Sequence, residues 1–166
     1  MTGAEWLDEL ESRSWRALLG AHWRLMSRLD AELQQTQQMS VAEYAVLVHL
    51  SEAEGEMLRM SDLAEQLLLS PSGLTRRLDG LVSEGFVERL RCPTDRRGSL
   101  ARLTPAGRRR LERAAKDHVE QVRRHFVDRL SRRQLASLAE ALEKIADEGV
   151  CGRSEDSPPH SRELQG

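Results

Sequence analysis

The chain has 166 residues, 39% of them hydrophobic and only 4% aromatic, which favours a mainly helical protein of one domain, with or without an appended helical arm. Its 25 basic and 27 acidic residues give a net charge of −2, which argues against non-specific DNA compaction because that activity requires a strongly basic protein. No apolar run approaches the roughly 20 residues that cross a membrane, and no signal-peptide pattern opens the chain, so we expect a soluble, cytoplasmic protein with no membrane partner.

Two helices are predicted before residue 56. Apolar residues at roughly helical spacing predict the first helix over residues 4–36. Ser40 and Glu43 form a capping box, in which each side chain can satisfy a free amide of the other residue. This box begins the second helix, which is expected to end near Gly55.

Two further helix starts follow at serine residues. Ser61 can cap a short third helix over residues 62–69. Ser70 can cap a fourth helix, and Pro71 lies in its first turn, where a missing amide is harmless. Apolar residues at three- and four-residue steps predict a buried face for the fourth helix, formed by Leu74, Leu78 and Leu81.

A small β-hairpin is predicted after the fourth helix. Gly85 ends that helix. Residues 86–91 and 99–103 then predict two short strands on either side of a loop at residues 92–98. The fold class is therefore mainly α with a small β-wing, in which the wing follows a helix-turn-helix.

The C-terminal region predicts two more helices and a tail. Thr104 begins a long helix by the same capping chemistry, and Ser131 with Gln134 forms a box that begins the last helix. The terminal helices, within residues 4–36 and 105–148, carry more apolar surface than one small domain can cover. We expect them to pack against a second copy of the chain, the alternative being that they fold back on their own domain. The polar tail over residues 149–166 is expected to be disordered.

The positive charge of the chain is concentrated in one stretch. Residues 70–110 hold ten arginines and only four acidic residues, so this stretch carries +6 in a chain whose net charge is −2. A surface polarised in this way predicts a polyanionic partner, and double-stranded DNA fits the helix and hairpin pattern. The triplet Arg108 to Arg110 could contact phosphates or lie on a solvated helix face.

The N-terminal end of the fourth helix is the predicted DNA-reading element. Its small residues let the backbone approach the major groove, and an arginine can donate a bidentate pair to guanine. The helix N-terminus also favours a phosphate. The candidate contacts at this end are Ser70, Ser72, Gly73, Thr75, Arg76 and Arg77.

The arginine-rich loop is the predicted wing. Gly98 permits a tight return of the chain, and Arg96 or Arg97 can enter a narrow minor groove, where the potential is most negative. Asp95 can hold a neighbouring arginine through a charge-assisted pair, the alternative being ordinary turn chemistry.

Several of these strings together resemble the MarR family of bacterial transcriptional regulators, over roughly residues 10–148. The resemblance rests on Leu63 and Ala64 ahead of the fourth helix and on the run from Thr75 to Leu81 followed by Gly85-Phe86-Val87. Its most specific part is an Asp-x-Arg wing, Asp95-Arg96-Arg97-Gly98, that leads into Leu103-Thr104-Pro105-Ala106-Gly107.

The resemblance implies a fold and a function. It implies a winged helix-turn-helix over residues 37–104, flanked by dimerisation helices, in a homodimer that binds pseudo-palindromic operators, with repression as the family's usual mode. In the family motif the wing pair corresponds to Asp95 and Arg97.

The resemblance also implies a candidate effector site. Family members often release DNA when a small anionic or phenolic ligand enters the cleft between the dimerisation helices and the winged domain. The residues that could form such a site here are Arg16, His22, Trp23 and Tyr44. The alternative for His22 is a satisfied histidine on an apolar helix face.

The two cysteines offer a weaker route to regulation. Cys92 and Cys151 match no metal spacing and predict a reducing compartment. Arg91 could lower the pKa of the Cys92 thiol and make it reactive, although the sequence has no resolving cysteine near it.

Other functional classes explain less of the sequence. No glycine-rich phosphate loop, metal-ligand cluster or nucleophile motif is present, so we expect no catalytic residues, no metal and no cofactor. A helical scaffold protein would account for the apolar terminal helices. It would leave a basic, glycine-closed hairpin behind a proline-started helix unexplained.

Overall fold

Six helices and a three-stranded antiparallel sheet form the part of the chain that the computed structural model describes, residues 6–91 and 98–147. The chain divides into two compact units after Phe126. The first unit contains α1 (Glu9–Gln37), α2 (Val41–Glu52), a 3-10 turn (Glu54–Glu56), β1 (Met57–Arg59), α3 (Met60–Gln66), α4 (Pro71–Ser83), β2 (Val87–Arg91), β3 (Ser99–Leu103) and α5 (Pro105–His125). The second contains a 3-10 turn (Val127–Arg129) and α6 (Arg132–Asp147).

The core of the first unit lies between α2, α3, α4 and the sheet. Leu47 and Leu50 of α2 meet Leu63 of α3 and Leu74 and Leu78 of α4, and all five side chains are fully buried. Burial of this many leucines fixes α3 and α4 as a helix-turn-helix against α2. The mainly helical fold with a small β-wing that the sequence predicts is confirmed.

The first two helices begin at capping boxes. The Asp8 carboxylate accepts a hydrogen bond from the Glu11 amide and the Glu11 carboxylate accepts one from the Asp8 amide, each at 2.8 Å. This box starts α1 at Glu9, later than the predicted start at residue 4, which lies outside the described residues. The predicted box of Ser40 and Glu43 is confirmed at the start of α2.

The prediction for the third helix was wrong at both ends. Because β1 leads directly into it, α3 begins at Met60, and the hydroxyl of Ser61 bonds the Asp62 carboxylate at 2.8 Å and caps no helix. The helix ends at Gln66, before the predicted end at residue 69, since Leu68 adopts a left-handed backbone conformation with φ of 53°.

The sheet has three strands, where the sequence predicted two. The order is β1-β3-β2, and both pairings are antiparallel. Met57 of β1 lies opposite Arg102, and Val87 of β2 lies opposite Leu103. The additional strand ties the start of the helix-turn-helix to the base of the wing.

The helix α5 begins where the sequence predicts it to begin. The Thr104 hydroxyl accepts a hydrogen bond from the Gly107 amide at 3.0 Å and donates to the Gly85 carbonyl at 2.7 Å. This side chain therefore caps α5 and also holds the turn before β2. The helix ends at His125.

The second unit consists mainly of α6. The predicted box is present, because the Ser131 amide donates to the Gln134 side chain at 2.9 Å and the Gln134 amide donates back to the Ser131 hydroxyl at 3.3 Å. Among the helices that the structure describes, none is both long and apolar enough to cross a membrane. The predicted disordered tail, residues 149–166, lies outside the described residues.

Candidate nucleic-acid interface

The helix α4 presents its N-terminal end to solvent and buries its opposite face. The Ser70 hydroxyl accepts a hydrogen bond from the Gly73 amide at 3.1 Å. Pro71 lies in the first turn of the helix, as predicted. The buried face is the predicted one, and it consists of Leu74, Leu78 and Leu81. This face packs α4 against the core and leaves Ser72, Thr75 and Arg76 of its first two turns exposed.

The hydroxyl groups at this end are partly used within the helix. The Thr75 hydroxyl donates to the Pro71 carbonyl at 2.9 Å, so its oxygen can accept a hydrogen bond while its proton is occupied. The Ser70 and Ser72 hydroxyl oxygens lie 3.2 Å apart and both side chains are exposed. Gly73 is half-buried. A Cβ built on this residue would lie 3.1 Å from the Ser70 hydroxyl oxygen.

The two arginines of α4 lie in different environments. Arg76 is exposed. Arg77 is half-buried and lines a cavity formed with α1, α2 and the turn before α4. From the sequence, Arg76 and Arg77 are equivalent candidates for DNA contacts. In the structure their surroundings differ.

The strands that carry the wing are described, but its tip is not. The strands β2 and β3 pair from Val87 opposite Leu103 to Arg91 opposite Ser99. The predicted wing residues Asp95, Arg96 and Arg97, together with Cys92, lie outside the described residues.

Two arginines of the sheet make contacts within the protein. The Arg89 guanidinium donates to the Thr75 carbonyl at 3.1 Å and forms an ion pair with Asp79 at 2.8 Å, so it connects β2 to the middle of α4. Arg102 of β3 bonds to Glu88 of β2, and this carboxylate raises the pKa of the Arg102 guanidinium.

Two arginines of α5 also have structural partners. Arg108 pairs with Glu56 in the turn before β1. The Arg110 guanidinium donates to the Gln37 side-chain oxygen at 2.7 Å and lies 5.8 Å from the centre of the Phe86 ring. The expectation that Arg108 and Arg110 contact phosphates or lie on a purely solvated face is therefore corrected, because tertiary contacts hold both. Arg109 is exposed.

The predicted effector residues lie on two helices. Arg16, His22 and Trp23 are exposed on α1, whereas Tyr44 is half-buried on α2. Within the described ranges, no hydrogen bond or ion pair joins Tyr44 to the other three.

Tyr44 packs instead against a histidine that the sequence did not single out as a site residue. The rings of Tyr44 and His118 have centroids 4.5 Å apart and are tilted by 43°. Burial lowers the pKa of His118, and burial followed by the charge of Glu52 raises the pKa of Tyr44. Only the tertiary structure reveals this contact, because α2 and α5 are distant in sequence.

Metal-ligand chemistry is not evident where the structure describes the chain. No group of three or more histidine, cysteine or acidic side chains in residues 6–91 and 98–147 has a metal-binding arrangement.

Comparison with known proteins assigns the fold to a family. A sequence profile of the MarR family matches residues 37–98. AbsC from Streptomyces coelicolor, a MarR family transcriptional regulator, is 37% identical, and its structure superposes with a TM-score of 0.82 over 90% of this chain and 100% of that one. The chain belongs to the MarR family.

Two other relatives extend the comparison. The MarR family regulator Sco3205 from Streptomyces coelicolor, solved in complex with DNA, is 35% identical with a TM-score of 0.83, over 89% of this chain and 92% of that one. The multiple antibiotic resistance protein MarR of Salmonella typhimurium is 33% identical over 84 residues. That match covers 51% of this chain and only 58% of the relative.

Membership of the MarR family agrees with the resemblance inferred from the wing and helix motifs. The fold is a winged helix-turn-helix with additional N- and C-terminal helices. The family consists of transcriptional regulators, not enzymes, in agreement with the prediction from sequence motifs.

Proposed function

We propose that this MarR-family chain regulates transcription by binding pseudo-palindromic double-stranded DNA as a homodimer, with α4 in the major groove and the wing in the minor groove. The observation that carries the proposal is the N-terminal end of α4, where Ser70, Ser72, Thr75 and Arg76 are exposed around a fixed helix start. A helix N-terminus with small residues and an arginine suits base edges and phosphates. The DNA complex of Sco3205 supports the same class of partner.

A homodimer accounts for the apolar surface of the terminal helices. On α6, Leu142 and Ile145 are exposed. Apolar side chains at these positions favour burial against a second copy. The exposed large apolar residues of α1 are Leu10, Trp15, Leu18, Trp23 and Met26.

Repression with release by a small anionic or phenolic ligand is the regulatory part of the proposal. A dimer that occludes a promoter needs no additional activating surface. The effector residues predicted from sequence, Arg16, His22, Trp23 and Tyr44, remain candidates for the release site, with aromatic and cationic side chains that suit such a ligand.

Selection of bound fragments from random DNA, followed by fluorescence anisotropy, tests the proposal. We expect specific affinity between about 10⁻⁸ and 10⁻¹¹ M at moderate salt. Arg76→Ala should cost about 1–3 kcal/mol at particular base pairs and relax preference there. Arg97→Ala should weaken binding to most sequences and reduce the salt dependence. Arg133→Ala on α6 serves as the control.

Two results would count against this proposal. Selection that enriches no sequence would exclude an operator-binding protein. If the Arg76 and Arg97 variants lost affinity without any change in base preference, the division between base reading and backbone attraction would be incorrect.

A further inference from the structure

A polar cavity of about 360 Å³ lies between the C-terminal halves of α1 and α5. Its size falls in the range of about 300–1,000 Å³ that holds small-molecule ligands. Three side chains of α1 and four of α5 line it, and all seven are polar or charged: Glu32, Gln35, Thr36, Asp117, Glu120, Gln121 and Arg124. The lining therefore suits a ligand that forms hydrogen bonds.

Gln121 indicates which hydrogen-bonding group such a ligand carries. The residue is only 4% exposed, and its side-chain Oε1 is buried without a hydrogen-bond partner in the described part of the chain. Nearly all buried polar atoms in proteins are hydrogen-bonded, because an unpaired one costs the desolvation of that group. An amide oxygen can only accept a hydrogen bond, so this position calls for a donor.

The charge of the lining selects a cation. Arg124 is the one basic residue among the seven, and two carboxylates share it: its Nη2 lies 3.0 Å from Glu120 Oε1 and its Nη1 lies 3.7 Å from Glu32 Oε2. With Asp117, three carboxylates face one guanidinium, which gives the lining a net charge of −2. His125 lies outside the lining, with Nε2 2.6 Å from Glu32 Oε1, and its protonation would still leave an excess of negative charge.

Asp117 supplies a charged acceptor on the same helix as Gln121. Its Oδ2 accepts a hydrogen bond from the Gln37 side-chain amide at 2.6 Å, whereas its Oδ1 has no hydrogen bond or ion pair within residues 6–91 and 98–147. Asp117 and Gln121 are four residues apart on α5, so they are neighbours on one face of the helix. A group with several donors can therefore bond both.

An ammonium group matches these requirements. It carries a positive charge and three N–H donors, and it has no acceptor that would oppose the carboxylates. A metal ion matches them less well, because the described ranges contain no group of three or more histidine, cysteine or acidic side chains in a metal-binding arrangement. The charge is opposite to that of an anionic effector, and the lining includes none of the predicted effector residues Arg16, His22, Trp23 and Tyr44.

We infer that this cavity binds a small organic amine in its ammonium form, such as an alkyl diamine, and that Asp117 and Gln121 hold the ammonium group. Glu32 and Glu120 attract the cation to the cavity. Because the bound amine contacts both α1 and α5, it stabilises the packing of these two helices. The inference goes beyond the proposed DNA-binding function and does not depend on it.

Thermal unfolding and calorimetric titration of the full chain, without DNA, test the site with defined probes. 1,4-Diaminobutane at millimolar concentration should bind saturably and raise the Tm of the wild-type protein. Tetramethylammonium at the same ionic strength should leave the Tm unchanged, because it carries the charge but no N–H donor.

Two matched substitutions of acidic residues on α5 locate the binding site. Asp117→Asn removes a charge and keeps an acceptor for Gln37, and it should weaken diaminobutane binding about tenfold or more, the loss expected for a hydrogen bond between charged groups. Glu112→Gln changes an exposed acid that does not line the cavity, so this control should bind diaminobutane as the wild type does.

Gln121→Leu provides a second test that does not depend on the folding of the first variant. Leucine fills a similar volume and removes the unpaired oxygen, so the Tm without diaminobutane should be retained or raised while binding weakens several-fold. A lower Tm of this variant without the probe would show that the Gln121 amide has a partner inside the protein and would overturn the site. Equal affinity of the wild type and Asp117→Asn, an equal loss in Glu112→Gln, an equal Tm shift with tetramethylammonium, or no saturable binding would each overturn it as well.

Discussion

Arg89 on β2 and Asp79 on α4 form an ion pair in which Nη1 lies 2.8 Å from Oδ1. The same guanidinium donates to the Thr75 carbonyl at 3.1 Å, so β2, a strand at the base of the wing, holds the middle of α4. In the sequence, Arg89 counts toward the basic stretch that predicts DNA binding. In the structure it orients the helix, and the charge of the stretch overstates the number of arginines available to phosphates.

We expect Arg89→Met to affect DNA binding more than stability. The side chains of Arg89 and Asp79 are 35% and 59% exposed, and exposed pairs contribute about 0–1 kcal/mol to the free energy of unfolding. Specific DNA affinity should fall several-fold because α4 loses its contact with the strand. Urea unfolding and fluorescence anisotropy measure the two effects.

A double-mutant cycle with Asp79→Asn tests the cause of that loss. If the pair positions the helix, the double variant should be little worse than either single variant. Independent, additive losses of DNA affinity would mean that Arg89 contacts DNA itself.

The start of α5 leaves no room for a side chain at Gly107. A Cβ built there lies 2.1 Å from the Phe86 carbonyl oxygen and 2.8 Å from a methyl carbon of Leu103. We expect Gly107→Ala to lower the free energy of unfolding by about 3 kcal/mol or more, since backbone must move to relieve the overlap. Thermal or urea unfolding measures the change.

Gly80 provides the matched control in the interior of α4. A Cβ there lies 3.6 Å from the Glu43 carboxylate, which is an ordinary contact. Gly80→Ala should therefore stabilise the protein by about 0.5–1 kcal/mol through helix propensity. Equal effects of the two substitutions would show that α5 does not depend on its close approach to Phe86.

The sequence predicts what local chemistry determines. The helix starts at Ser40, Ser70 and Thr104 are predicted correctly because each cap closes a hydrogen bond within three residues. The strand β1 was missed because its three residues acquire their pattern only by pairing with β3, far along the chain. For the same reason no pattern distinguishes Arg77, which lines a cavity, from Arg76, which is exposed.

The turn between α3 and α4 contains a leucine in an unfavourable conformation. Leu68 has φ of 53° and is 92% exposed. The left-handed conformation is sterically unfavourable for leucine, and no burial of the side chain compensates for it. We expect Leu68→Asn to raise the free energy of unfolding by about 0.5–1 kcal/mol, because asparagine adopts this region more readily.

Leu69 provides the contrast, because it is half-buried against the core. Leu69→Asn should destabilise the protein in the same unfolding measurement. If Leu68→Asn also destabilised the protein, the Leu68 side chain would be in contact with another molecule in solution. A second copy of the chain and bound DNA would be the candidates for that molecule.

Stability should decline in mild acid because of His118. Burial lowers its pKa from the ordinary value of 6.5, and its Nδ1 is buried with no hydrogen-bond partner among the described residues. The unfolded chain therefore binds more protons than the folded chain as the pH falls below 6.5, so the stability contributed by neutral His118 is present above that pH and is lost below it.

His118→Phe keeps a ring against Tyr44 and removes the titrating group. Urea unfolding at about pH 7.5 and about pH 5.5 should show a smaller acid loss for this variant than for wild type, whereas His22→Gln, at an exposed position on α1, should retain the full loss. The same acid loss in wild type and His118→Phe would assign the pH dependence to another group.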